Sequence, residues 1–144
     1  MNRKKRRGQG MVELAFLFPF FLLVIVGGII DFGFAFYNLV TLQEIANDAA
    51  QFAAESNGHS GVSDVTAIQA HVNASVPQWW GTVTASSTDI VIPGSNPATT
   101  CKRVLLSYPS RTYTPFYQTM LHAVAGSTAI NLQAVAVYQV PTSL

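Results

Sequence analysis

A single cysteine, Cys101, stands in 144 residues. One thiol excludes an internal disulfide framework and a cysteine-rich zinc site. Charge is scarce too: Asp, Glu, Lys and Arg make up 10% of the chain, against about 25% in an ordinary soluble domain. With 49% apolar residues, the composition also excludes a disordered charged tail. Basic charge is nearly confined to one place. Five of the eight Lys and Arg residues form the run Arg3, Lys4, Lys5, Arg6 and Arg7, and the three others face seven acidic residues. A nucleic-acid-binding domain carries its basic charge over a whole face, so nucleic acid is not an expected partner. Catalytic spacings are missing as well. His59, His71 and His122 are scattered, with no H-E-x-x-H or C-x-x-C, whereas zinc wants three or four convergent ligands. The stretch Gly58-His59-Ser60-Gly61 lacks the G-x-S-x-G spacing of a nucleophile elbow and reads as a flexible turn. Cys101, after Thr99-Thr100 at a strand start, reads as a buried or idle thiol. No catalytic residue, cofactor or metal is expected, and there are no internal repeats or low-complexity tracts.

What the chain does have is one long apolar run. Residues 14–30 hold seventeen positions without a charge or a strongly polar group, and the apolar zone extends over about 11–37. A helix of about 20 residues crosses a ~30 Å hydrocarbon core, so this segment is long enough. The basic arm before it predicts a cytoplasmic amino terminus, by the positive-inside rule, with everything after about residue 37 outside. Three arrangements compete. A cleavable secretory signal has the same basic and apolar regions, but here the run is long, Glu13 interrupts its start, and no clean A-x-A site follows. A plain signal anchor would keep the whole segment. A type IV prepilin-like leader would be cut on the cytoplasmic side, before the apolar helix.

Particular residues favour the third. A short basic leader ends in Gly8, and Glu13 stands five residues on at the head of the apolar helix; Gly-x-x-x-x-Glu is the prepilin peptidase signature. The segment Gly8-Gln9-Gly10-Met11-Val12-Glu13-Leu14-Ala15-Phe16-Leu17-Phe18-Pro19 resembles the TadE-like family of minor pilins (pseudopilins) of the tight-adherence, type IVb-like pilus system. Gly27, Gly28, Asp31 and the run Ala46-Asn47-Asp48-Ala49-Ala50-Gln51-Phe52-Ala53-Ala54 follow in that family's order. The resemblance covers residues 6–55. The family's Arg within the Ala-rich stretch is absent; Gln51 and Glu55 stand nearby.

The resemblance implies a bacterial inner-membrane precursor, single-pass, with a periplasmic head. It implies cleavage between Gly8 and Gln9 by a prepilin peptidase. Other pilin subunits and the pilus assembly platform become the partners, and surface attachment and biofilm formation the associated roles. The major pilins of this system are much shorter chains, which points to a minor subunit. The rival from another class is a membrane-anchored periplasmic enzyme or ligand-binding domain with an uncleaved anchor. It would be marked by a polar pocket around His71, Cys101 or the two Trp residues.

The expected organisation is a leader over 1–8, a stem helix over 9–56 and a head over 57–144. Within the stem, Pro19 lacks an amide hydrogen and should kink or loosen the helix, and Gly27-Gly28 adds a second soft point. Glu13 is read as an assembly determinant, because cleavage exposes a new amine at Gln9 one helical turn away. Asp31 is read as an interfacial residue just outside the hydrocarbon. Beyond residue 38 the stem turns amphipathic. Leu39, Leu42, Ala46, Ala49 and Ala53 recur at spacings of 3 and 4, with Ile45 and Phe52 widening the stripe. Alanine lets a neighbouring element approach closely. Asn57-Gly58 suits the helix end.

In the head, Ser63 is positioned to cap a second helix running to about Ser75, with Val65, Ile68, Val72 and Val76 as its stripe and Pro77 as its stop. Trp79-Trp80-Gly81 reads as a loop in which one Trp packs beneath the head. Short β-like runs follow at 83–85, 89–92 and 102–108, with turns at Pro93-Gly94 and Asn96-Pro97. A short helix is expected over 115–124. The alternating run 128–140 puts Ile130, Leu132, Ala134, Ala136 and Tyr138 on one face. The expected fold is α+β: a long hydrophobic amino-terminal helix, packed at its carboxy-terminal half against a small head with a short helix and an antiparallel sheet of three or four strands.

Overall fold

The computed structural model describes residues 3–56, 65–92 and 99–141, with side chains over 10–56, 65–92 and 100–141. The expected cap at Asn57-Gly58, the turn at His59-Ser60, the cap at Ser63 and the turns at Pro93-Gly94 and Asn96-Pro97 lie outside the described residues. The elements run α1 (Arg3–Ser56), α2 (Val65–Ser75), β1 (Thr84–Ile92), β2 (Thr99–Arg111), α3 (Pro115–Ala125) and β3 (Ala129–Gln139). The fold is α+β. The chain divides into two compact units: Met1–Ala35 with Thr112–Thr128, and Phe36–Arg111 with Ala129–Leu144.

The second unit holds a three-stranded antiparallel sheet in the order β1-β2-β3. Its register sorts the side chains by size. On the inward face the middle strand supplies Val104, Leu106 and Tyr108, all buried. Two of them stand opposite small partners on both sides: Leu106 pairs with Ala85 and Ala134, and Val104 with Ser87 and Ala136. The stem answers with its own small face. Leu42, Ile45, Ala46, Ala49, Ala50 and Ala53 join Val104, Leu106, Ala134 and Ala136 in one core cluster, completed by Ile68 and Val72 of α2, Trp80 and Val83. Small residues on the stem and on the flanking strands leave room for the large ones of β2. Burying each of Val104 and Leu106 contributes about 1.5–3 kcal/mol.

The expected stripe therefore forms, with a shift at one end. Leu42, Ala46, Ala49 and Ala53 are fully buried, but Leu39 is 37% exposed. The preceding position turns inward instead: Asn38 is buried and its side-chain amide donates to the Ser110 hydroxyl at 2.9 Å. A polar side chain satisfied by a partner occupies the inward site.

The strands differ from expectation in extent. The separate runs expected at 83–85 and 89–92 are one strand. Ser86, Ser87 and Thr88 break the apolar pattern, but each pairs with β2 in an unbroken ladder. β2 also runs past Pro109 to Arg111, beyond the expected end at Tyr108. The reason lies in the register. β1 accompanies β2 only from Thr99 to Ser107, so at Pro109 the strand has one neighbour, and an edge position tolerates a residue without an amide hydrogen. Three strands form. On β3 the inward face is narrower than expected: Ala134 and Ala136 are buried and Leu132 packs against the core, while Ile130 and Tyr138 are exposed at the strand ends.

Of the two tryptophans, Trp80 is buried and stacks on Tyr108 with ring centroids 4.3 Å apart, whereas Trp79 is 71% exposed. Of the stripe expected here Ile68 and Val72 are buried and Val76 packs against the core, while Val65 is exposed. Its Gln69 accepts from the Ala85 amide at 2.8 Å and donates to the Val83 carbonyl at 2.8 Å, which ties the helix to the start of the sheet. Lys102, buried on β2, is ion-paired with its cross-strand partner Asp89.

Two outcomes follow for this unit. Ala49→Leu should lose about 1–3 kcal/mol by overpacking, while Leu39→Ala should stay within about 0.5 kcal/mol; denaturant unfolding of the detergent-solubilised chain reads both. The segment Thr112–Thr128 interrupts this unit at a point where Arg111 and Ala129 are already paired. Replacing it with Asn-Gly, the preferred two-residue hairpin turn, should preserve the far-ultraviolet spectrum of the sheet and the burial of Trp80.

Candidate membrane and assembly surface

The first unit is built on the apolar half of α1. From Met11 to Tyr37 most large apolar side chains are exposed: Phe16 is 80% and Phe32 74% accessible, and Phe18, Phe20 and Phe21 are exposed too. Among the described residues α1 is the one helix long and apolar enough to cross a membrane. Pro19 lies inside it, and helical structure continues through that position. Gly8 and Gln9 fall within α1, with their side chains outside the described residues. Glu13 is on the exposed surface.

Asp31 stands within this zone, directly after the uncharged run 14–30. It is buried and accepts from three donors in the segment before α3. The Tyr113 amide reaches Oδ1 at 2.7 Å, the Thr114 amide lies 3.2 and 3.3 Å from the two oxygens, and the Thr114 hydroxyl donates to Oδ2. A carboxylate removed from water is costly unless such donors replace the water. Asp31 is thus more than an interfacial residue: it fixes the point where the β2–β3 connection meets the stem.

Gly27 and Gly28 sit one turn below. A Cβ at Gly28 would lie 2.5 Å from the Tyr117 hydroxyl oxygen, and one at Gly27 would lie 3.3 Å from the Thr114 methyl. The two glycines thus open the surface against which Thr114 and Tyr117 are seated. Tyr117 donates to the Val24 carbonyl at 3.0 Å, and Tyr113 packs on Phe34 with ring centroids 4.6 Å apart. Phe116 meets Leu14, Leu17, Phe18, Phe20, Phe21 and Val24 around an open apolar groove of ≈ 470 Å³. Tyr113, Thr114 and Tyr117 went unnoticed as site residues. The available signals were the need of a carboxylate in an apolar zone for donors and the Thr114-Pro115 pair, which matches a helix start with Pro in the first turn.

The residues expected to mark a catalytic or ligand pocket stand in different settings. His71 contacts Asp48 at 2.7 Å and stacks on Phe52; this is a partly exposed pair worth at most about 1 kcal/mol. Trp80 is spent on Tyr108, and Cys101 is a buried free thiol on β2. His122 lies in the last turn of α3.

The arrangement defines a class: an α+β protein on a long stem, apolar and exposed in its first half, faced with alanine in its second. Residues 8–51 match the family described as TadE-like protein. That segment of the stem is similar to the TadE-like family, as its residues had suggested, a family associated with the tight-adherence pilus. The single apolar helix and the pilus family fit a single-pass membrane protein. No curated protein and no solved structure matches the chain.

The Asp31 contacts carry an expected outcome. Asp31→Ala removes the acceptor of the Tyr113 and Thr114 amides, and each unsatisfied donor costs about 1–3 kcal/mol. Hydrogen exchange at these two amides should accelerate, with the sheet amides unchanged. Asp31→Asn should not restore protection fully, because its NH2 end opposes donors.

Proposed function

We propose that the chain is a minor pilin (pseudopilin) of a tight-adherence pilus. It is made as a single-pass inner-membrane precursor with its basic arm in the cytoplasm and its head in the periplasm, and is cut after Gly8 by a prepilin peptidase. The stem then joins or primes the filament through contacts with other pilin subunits and the assembly platform, in the service of attachment and biofilm formation. The observation that carries this reading is the exposed apolar stem, headed by Glu13 five residues after Gly8, within the TadE-like match.

Physical chemistry supports it. Phe16, Phe18, Phe20 and Phe21 are exposed, and covering four such side chains is worth roughly 6–12 kcal/mol. The stem needs a cover at every stage: lipid before assembly, neighbouring stems after it. Pro19 is the residue that lets the helix adjust between those two environments. Glu13 supplies what an apolar surface lacks. A carboxylate in such a setting costs roughly 3 kcal/mol at a membrane helix centre and less near the interface, and is compensated by a positive partner. Cleavage creates one at Gln9, and the amine of an adjacent subunit is another. A charge pair in an apolar environment is directional enough to set axial register, which Leu and Phe surfaces are not.

The test is the amino-terminal sequence of the mature protein. A start at Gln9 agrees with the proposal, an intact basic arm means an uncleaved anchor, and a start beyond residue 28 means a secreted protein. Gly8→Val should accumulate precursor, because a side chain crowds the scissile backbone. Glu13→Gln should still be cut and still reach the membrane, yet be poorly incorporated into pili; immunoblots of sheared filaments against whole cells separate the two steps. Wild-type incorporation would remove Glu13 from assembly, and an abolished cut would make it a peptidase determinant.

A further inference from the structure

We infer that α3 is a second membrane-embedded element, seated beside the stem in the outer-leaflet hydrocarbon, with lipid acyl chains as the partner of its exposed apolar ridge. The inference rests on the reading of residues 11–37 as a membrane span.

Depth is the first argument. The Tyr117 hydroxyl is bonded to the Val24 carbonyl. Val24 lies seven residues before Asp31 on the same helix, roughly 10 Å along its axis. With Asp31 at the outer boundary of a ~30 Å hydrocarbon layer, Val24 lies well inside it, and so does the phenol bonded to it. Phe116 shares its groove with Phe20, Phe21 and Val24. The medium that covers those stem residues covers Phe116.

Chemistry is the second. No Asp, Glu, Lys or Arg follows Arg111 in the sequence. In hydrocarbon, polar groups must be satisfied from within, and the side chains of Tyr117, Gln118 and Thr119 are; His122, in the last turn, is exposed. Besides Tyr117, the Gln118 side-chain amide donates to the Thr112 carbonyl at 2.7 Å and the Thr119 hydroxyl to the Pro115 carbonyl at 2.9 Å. The helix end closes on itself, with Gly126 at φ 67° donating its amide to the His122 carbonyl. The apolar side chains point the other way. α3 has no buried residue, and Phe116, Met120 and Val124, each four residues apart and so on one face, are 40%, 48% and 83% exposed. A water-facing helix shows the opposite sorting. The ridge is continuous with the stem surface through Phe116, which selects lipid over a separate protein partner.

The experiment uses the full chain in vesicles of phosphatidylethanolamine and phosphatidylglycerol, in a Cys101→Ser background, with bimane on Met120→Cys or, in a separate sample, on Phe20→Cys of the stem. Val124→Cys is a second reporter on α3, and all three substitutions leave the Asp31 and Tyr117 hydrogen bonds in place. A phosphatidylcholine with a nitroxide midway along its acyl chain is added as quencher, and aqueous iodide is used in parallel. The expected result is loss of most emission to the lipid nitroxide and little to iodide, on α3 and stem alike. Quenching of the stem label by lipid with both α3 labels open to iodide would overturn the inference and leave the membrane span standing. α3 labels shielded from both quenchers would also overturn it, in favour of a second protein surface. Iodide quenching at all three positions would overturn the span, and the inference with it.

Discussion

A carboxylate at the end of an apolar helix has to find donors, and the way Asp31 finds them organises the first unit. It draws the Tyr113 and Thr114 amides and the Thr114 hydroxyl onto one face of α1. Once those are held, Pro115 starts α3 at a fixed point, Tyr117 falls opposite Val24, and Phe116 reaches the aromatic surface of the stem. The glycines are part of the same arrangement. Any side chain at Gly28 would occupy the place of the Tyr117 phenol, so the softness that two glycines give a helix coexists with a requirement for close approach. A position that serves packing serves flexibility only when the packed partner leaves.

The second unit obeys a different rule, the matching of small to large. An Ala-faced helix meets a sheet whose most deeply buried large residues, Val104 and Leu106, are on the middle strand. The same surface pressed against a flat sheet of Leu and Val would leave voids or force strain. The two halves of α1 thus differ in what they require. The half after residue 38 has its cover within the chain. The half before it is met by the segment Thr112–Thr128 and leaves most of its large apolar side chains exposed.

Much of this was legible from the residues. Period and composition marked the stem, the change from all-round apolar to amphipathic near residue 38, the short helices and the last strand, because these depend on local spacing alone. The spacing of Gly8 and Glu13 and the order of motifs through residue 51 pointed to the family that matches that segment. Strand limits were less legible. Ser86 to Thr88 read as a break and Tyr108 as an end, yet whether a strand stops at such residues depends on which neighbour lies alongside.

The sequence by itself thus determined that the protein has an exposed apolar helix with a basic head and an acidic residue at its start, since hydropathy and charge are properties of neighbours along the chain. Tertiary structure alone decided where the buried stripe of the Ala-rich helix begins, with Asn38 inward and Leu39 outward. It alone decided that Asp31 is met by residues more than eighty positions away. Those pairings depend on where the β2–β3 connection returns to the stem, a distance in space that no spacing along the chain encodes.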